Sequence, residues 1–139
     1  MKMGIIGCGV VGSAVRDGMV RLGHDVKIHD IKLDTRLEDL FDRDIIFVCV
    51  PTPQKEDGSC DTSIVETVVE DISMLGYRKI VAIKSTVTPG TTRRLRGRYG
   101  RSLTVTFVPE FLRERCASID FTENHDVCII GTRDNFVFG

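Results

Sequence analysis

Three glycines at the spacing Gly7-x-Gly9-x-x-Gly12 stand directly after an apolar run and directly before a stretch of helical periodicity. That order of parts suits a phosphate. A tight turn at Gly7 exposes backbone N–H groups, the bare Cα of Gly9 lets a pyrophosphate reach them, and the bare Cα of Gly12 lets the helix pack on the strand. Val10 and Val11 fill the two positions between, where their amides open the helix and face the anion. Asp30 follows Gly12 by eighteen positions, at the end of a second apolar run. A carboxylate there accepts hydrogen bonds from a ribose diol and repels a 2′-phosphate, so the pattern predicts a dinucleotide site for NAD rather than NADP. Lys32 and Arg36 lie close by in sequence and pull the other way. A ligand-free glycine turn and a solvated aspartate are the competing readings, and the order strand, glycines, helix, acid favours the cofactor.

Three more segments place polar groups where a parallel sheet presents its ligand, beyond the carboxyl ends of the strands. They are Val50-Pro51-Thr52-Pro53, Lys84-Ser85-Thr86-Val87-Thr88-Pro89-Gly90 and Val108-Pro109-Glu110-Phe111-Leu112-Arg113-Glu114. Any one alone reads as a turn with a helix cap. Glu110 and Glu114 alone read as an exposed i,i+4 pair. Together they set threonine hydroxyls and carboxylates, the groups that hold water and move protons, along one edge. His24 and His29 have no metal-ligand spacing. The five cysteines, Cys8, Cys49, Cys60, Cys116 and Cys128, contain no C-x-x-C pair, so neither a disulfide framework nor a metal site is expected and most read as small buried hydrophobes.

The elements that must position these groups alternate. Strands are predicted at Lys2 to Ile6, Val26 to His29, Ile45 to Val50, Lys79 to Ile83, Leu103 to Val108 and Asp126 to Ile130. The first helix carries Val11, Val15, Gly18 and Leu22 on one face. A second is capped by Asp61 and buries Val65, Val68, Val69 and Ile72, and a basic third starts at Pro89 and runs through Arg93, Arg94, Arg96 and Arg98. Only a short helix, about 37–41, fits between the second and third strands. The expectation is an α/β fold, a Rossmann-type doubly wound parallel sheet of about six strands with helices on both faces and strand order 3-2-1-4-5-6.

A length of 139 residues predicts one domain spanning 1–139. Nineteen Lys+Arg against twenty Asp+Glu give a formal charge of -1, which provides no field for nucleic acid or a membrane surface. The arginine-rich helix is a weak candidate for a phosphate or RNA face, with only Tyr99 to stack on a base. No apolar run reaches the roughly 18 residues of a membrane span, and no signal-peptide core follows Met1, so a cytoplasmic protein is expected.

In GIIGCGVVG, FVCVPTP with DGSCDTSIVE, IKSTVTPGTT and PEFLRE, taken in that order, the chain resembles the NAD-binding domain of the UDP-glucose/GDP-mannose 6-dehydrogenases over nearly its whole length. The resemblance implies oxidation of a sugar-nucleotide C6 alcohol to a carboxylate by two hydride transfers to NAD, through a thiohemiacetal and a thioester on a cysteine. It implies Gly7, Gly9 and Gly12 as the pyrophosphate turn, Asp30 as the adenosine-ribose acceptor, and Thr52 and Thr86 along the cofactor. It further implies Thr86 and Glu110 as holders of an active-site water, Glu114 near the nicotinamide in thioester hydrolysis, and backbone contacts from Phe111 and Leu112 to the sugar.

Val108 and Arg115 depart from the small or polar residues usual in that family, the region after the second strand is short, and His125-Asp126-Val127 replaces a Pro-Asp-Arg. No residue matches the family's nucleophilic cysteine, central helix or oxyanion-stabilising lysine and asparagine. Two functions are therefore expected to compete. One is the cofactor half of a sugar-nucleotide dehydrogenase, catalytically incomplete alone and completed by a second polypeptide or further chain. The other is a non-catalytic module that senses NAD or a sugar nucleotide.

Overall fold

The computed structural model describes residues 1–124 and 127–133. Strands β1 (Lys2–Ile6), β2 (Asp25–His29), β3 (Ile45–Val48), β4 (Ile80–Ile83) and β5 (Thr104–Phe107) form one parallel sheet in the order β2-β1-β3-β4-β5. Helices α1 (Val10–Arg21), α2 (Ser63–Met74), α3 (Thr91–Tyr99) and α4 (Ala117–Thr122) alternate with them, and 3-10 turns occupy Leu37–Leu40 and Glu114–Cys116. The Rossmann-type reading of the sequence is thus correct in class.

The side-chain period of two divides the sheet into two cores. Ile5, Phe47 and Ala82 lie in register across β1, β3 and β4 and are buried with Val15 of α1. The next row, Ile6, Val48 and Ile83, turns to the other face and packs with Val65, Val69 and Ile72 of α2 and Leu95 of α3. Both faces are covered, which is why β3 and β4 are apolar without interruption.

The strand order differs from expectation. Ile45 to Val48 pairs with β1, on the side away from β2. Three of its four residues are buried, so it needs cover on both faces and belongs in the sheet centre. β2, with Asp25 and Lys27 exposed, has the polar alternation of an edge. The short connection between His29 and Ile45, holding a single 3-10 turn, crosses β1 without adding a strand outside β2.

No sixth strand forms within 127–130. Val127 and Ile129 stay exposed, and the chain returns beside β5 only as an isolated antiparallel bridge between Gly131 and Phe107. Asp126, the expected first residue of that strand, and His125 lie outside the described residues. The helix starts also shift. Asp61 accepts the Ser63 N–H at 2.9 Å, but the N-cap of α2 is Thr62, and α3 begins at Thr91 after Gly90 rather than at Pro89.

α4 closes the α1 side of the sheet. A Cβ on Gly18 would lie 2.3 Å from the Phe121 ring, so only glycine admits this contact. The segment that leads into α4 is tied down by Arg113, which donates Nε, Nη2 and its backbone N–H to Asp120 at 2.9, 2.7 and 3.0 Å.

Gly18→Leu forces Phe121 out of its seat and is expected to lower stability by about 1–3 kcal/mol, read from the urea midpoint. The Arg113 guanidinium and N–H hold the Asp120 carboxyl well below its ordinary range. The stabilisation is therefore full above the unfolded aspartate value near 4 and is lost as pH falls through the depressed folded value. Asp120→Asn is expected to be less stable than the wild type at pH 7, with the gap closing progressively below about pH 4. A constant gap in urea midpoints would remove the ion pair as its cause.

Candidate functional site

The turn between β1 and α1 lies at the switch point of the sheet, where β1 has β2 on one side and β3 on the other. Two of its glycines are required by the protein itself. Gly7 has φ +92°, and a Cβ there would lie 2.6 Å from the Cys49 carbonyl oxygen. A Cβ on Gly12 would lie 1.9 Å from the Gly7 carbonyl oxygen. Gly9 is different. Its φ of −70° and ψ of −163° suit any residue, and an added Cβ meets no atom within 4 Å. No protein contact calls for glycine at that position, so the room it leaves is room for a ligand.

The amides above that space are free to bind one. The first bond of α1 runs from the Ser13 N–H to the Gly9 carbonyl at 3.0 Å, and no side chain caps the helix. The N–H groups of Val10, Val11 and Gly12 precede that bond, at the positive end of the helix dipole.

Asp30, just past β2, stands against the same turn. Its Oδ2 accepts the Cys8 N–H at 2.7 Å and its Oδ1 accepts the Lys32 N–H at 2.9 Å. These two bonds, Cys8 first, hold the carboxyl below its ordinary value and keep it an ionised acceptor. Of the two cations near it in sequence, Arg36 is engaged elsewhere, with Nη2 on Glu38 at 3.2 Å and its own N–H on Asp39. Three helix-opening amides, a vacant Cβ position and an ionised carboxylate thus stand together at one turn.

The remaining strand ends bring their groups to the same edge with unequal results. Thr52 is half-buried after β3, and Thr86 is exposed after β4, its carbonyl accepting the Cys60 thiol at 3.5 Å. Ser85 is buried between them and donates its hydroxyl to the Val50 carbonyl at 2.7 Å, which locks the two loops together. Glu110 is not the exposed member of a helical pair. Its Oε1 accepts the N–H groups of Phe111 and Leu112 at 2.8 and 3.1 Å, and its Oε2 meets Lys84 Nζ at 2.9 Å, with the two side chains only 13% and 6% exposed. Glu114 opens a 3-10 turn in solvent, away from any such network, and Phe111 is 62% exposed.

Lys84 and Ser85 were not singled out from the sequence. The available signal was a lysine ending the apolar run Val81-Ala82-Ile83, where burial demands a counter-charge. Lys84 and Glu110 border an apolar cavity of about 820 Å³ together with Val15, Phe47, Val108 and Phe121. Three thiols are shifted, all upward: Cys49 to about 12, and Cys8 and Cys116 less, with burial the largest cause in each. Among the described residues no cluster of side chains is arranged to hold a metal, and no helix is long and apolar enough to cross a membrane.

Residues 31–136 match the model of the UDP-glucose/GDP-mannose dehydrogenase family, NAD binding domain. The glycine turn precedes that span but falls within longer alignments. A UDP-glucose 6-dehydrogenase of Haloferax volcanii is 29% identical over 178 residues, covering 96% of this chain and 41% of the relative. That span exceeds the length of the chain, so the relative carries inserted residues. A UDP-glucose dehydrogenase structure from Pyrobaculum islandicum superposes with TM-score 0.86 at 27% identity, over 99% of this chain and 42% of that one. A ternary complex of GDP-mannose dehydrogenase from Pseudomonas aeruginosa gives TM-score 0.81 at 26% identity, again over 99% and 42%. The chain thus spans about two fifths of the length of these relatives. With the family match covering most of its length, the chain belongs to the UDP-glucose/GDP-mannose dehydrogenase family, as its NAD binding domain.

Proposed function

We propose that residues 1–139 form the cofactor unit of a nucleotide-sugar 6-dehydrogenase, which oxidises the C6 alcohol of a sugar nucleotide, such as a UDP-sugar, to a carboxylate. The observation that carries this reading is Gly9, a glycine without a protein reason, set between free helix amides and an ionised Asp30. Bound NAD supplies the hydride acceptor. The chain contributes the rest of the binding: the Val10, Val11 and Gly12 amides for the pyrophosphate, Asp30 for the adenosine ribose, and Thr52 and Thr86 along the cofactor.

Toward the substrate, Glu110 is best described by its lone pairs. Two amides take up Oε1, while the buried Oε2, in ion-pair contact with Lys84, has no hydrogen-bond partner of its own. That oxygen is the one left to accept from a water, held with the exposed Thr86 hydroxyl. The Phe111 and Leu112 amides are spent on Glu110, which leaves their carbonyls for a sugar. Glu114, free in solvent, suits a later hydrolytic step. The thioester chemistry of the resemblance needs a thiol that ionises readily, burial pushes Cys8, Cys49 and Cys116 the other way, and none of the five cysteines stands at a position matching the family's nucleophile. On this reading a second polypeptide or a further segment supplies the nucleophile, and these residues alone bind NAD without turning over.

Calorimetric titration is expected to show saturable NAD binding by the 139-residue chain. Gly9→Val is expected to abolish the binding while leaving the melting transition in place, because an added Cβ there meets no protein atom within 4 Å. NADP is expected to bind about tenfold or more weakly than NAD, with Asp30→Ser narrowing the gap. An unfolded Gly9→Val, or equal affinity for the two cofactors, would overturn the assignment of the turn. UDP-glucose and NAD together are expected to yield no NADH, and steady turnover by the chain alone would refute the need for an external nucleophile. Iodoacetamide at pH 8 is expected to leave Cys49 unmodified until the protein unfolds, as mass mapping would report.

A further inference from the structure

Helix α3 carries its arginines in two sets. Arg94 and Arg98 reach toward α2, where they meet Glu66 at 2.8 Å and Glu70 at 3.5 Å. Arg93 and Arg96 border a cleft of about 490 Å³ that Gly90, Gly97 and Arg133 complete. Among the described residues no carboxylate pairs with any of these three arginines.

The fold holds the three charges together against their repulsion. Arg96 donates Nε to the Val105 carbonyl at 2.7 Å and Nη2 to the Gly131 carbonyl. Gly131 is itself bridged to Phe107 of β5, with N–H to carbonyl distances of 2.7 and 3.1 Å, and the bridge brings Arg133 beside α3 two residues later. Burial first, and then the Arg133 charge, push the Arg96 pKa below its ordinary value.

Gly97 is the second, independent sign. It lies inside a helix, where glycine costs about 1 kcal/mol relative to alanine. An added Cβ meets nothing within 4 Å, so no protein contact demands glycine there, and a side chain would project into the cleft. This repeats the relation seen at Gly9.

We propose that this cleft binds a small phosphate-bearing anion through the guanidinium groups of Arg93, Arg96 and Arg133, at a site separate from the cofactor turn. The forks of Arg93 and Arg133 match phosphate oxygens in bidentate geometry, Arg96, with Nε and Nη2 held by carbonyls, offers Nη1 and its charge, and a concavity of a few hundred Å³ suits a small molecule. α3 packs against β5 at one edge of the sheet while Asp30 follows β2 at the other, about 19 Å away by strand spacing. RNA is disfavoured by the formal charge of -1 and by the lack of stacking rings, since Tyr99 is the only aromatic residue of α3.

The test is calorimetric titration of inorganic pyrophosphate into the full chain carrying Gly9→Val, which removes the cofactor turn as a competing anion site. Saturable binding is expected, weakened about tenfold or more by adding either Arg93→Glu or Gly97→Leu. Gly97→Leu improves helix propensity, so a melting temperature at or above that of the Gly9→Val parent separates lost binding from lost fold. In the chain with Gly9 restored, Arg93→Glu is expected to leave NAD affinity within about twofold. Absence of pyrophosphate binding, or binding that survives both substitutions, would overturn the proposal. So would arginine-dependent binding of a single-stranded RNA where pyrophosphate fails. None of these outcomes bears on NAD binding, which is read separately.

Discussion

Everything at the carboxyl edge depends on how closely the β1–α1 turn is pressed against the backbone leaving β3. The Gly7 Cα faces the Cys49 carbonyl, the Gly12 Cα faces the Gly7 carbonyl, and neither position has room for one more carbon. This contact sets the height at which α1 leaves the sheet, and so where its free amides stand. It also makes the residue after β3 a wall of the β1–α1 turn. The Cys49 side chain is consequently buried, its thiol pushed to about 12 by the loss of water, and it serves as packing rather than as a nucleophile. A strand order that placed Ile45–Val48 outside β2 would leave the turn without this wall.

The glycines and Asp30 were legible in the sequence because their chemistry is local: a spacing of three and an acid at the next strand end specify the turn almost without help from the rest of the chain. Strand order was not legible in the same way. The periodicity of Ile45 to Val50 showed a strand buried on both faces, and the same observation excluded an edge position, yet counting strands along the chain by the commonest order set it beyond β2. The polar alternation of Asp25, Lys27 and His29 was the sign that β2 itself is the edge. The last strand failed for a related reason. Val127 to Ile130 is apolar enough to be a strand, but apolarity alone does not supply a partner, and the pairing rests on Gly131, which has no side chain to announce it.

Of the candidate site, Glu110 was found by its neighbours in PEFLRE, whereas its state was decided by a residue twenty-six positions earlier. A carboxylate beside Phe111 and Leu112 reads as a free acid or base until Lys84 is placed against it. Taking one charge out of water at that depth costs several kcal/mol, so the buried lysine and the buried glutamate each account for the other. Such pairs arise from strand register, here the adjacency of β4 and β5, and no spacing rule within one element reveals them. The pairing changes the chemistry available: a carboxylate whose Oε1 is held by two amides and whose buried Oε2 lacks a hydrogen-bond partner is fixed in place with one oxygen left to accept from a water.

Gly9 and Gly97, each in ordinary backbone geometry with nothing within 4 Å of an added Cβ, bear on how absence of a side chain is to be read. A glycine under steric pressure, such as Gly7, Gly12 or Gly18, is explained by its neighbours, and replacing it damages the fold. A glycine in ordinary backbone geometry with open space around its missing Cβ has no such explanation, and at Gly97 it carries a helix-propensity cost with no packing return. Gly9 sits below free amides and Gly97 sits among guanidinium groups that meet no carboxylate of the described residues, so both lie where positive potential meets room for an anion. Vacancy agrees with charge at two places, one beyond the interior strand β1 and one on the helix packed against the edge strand β5, and packing accounts for neither.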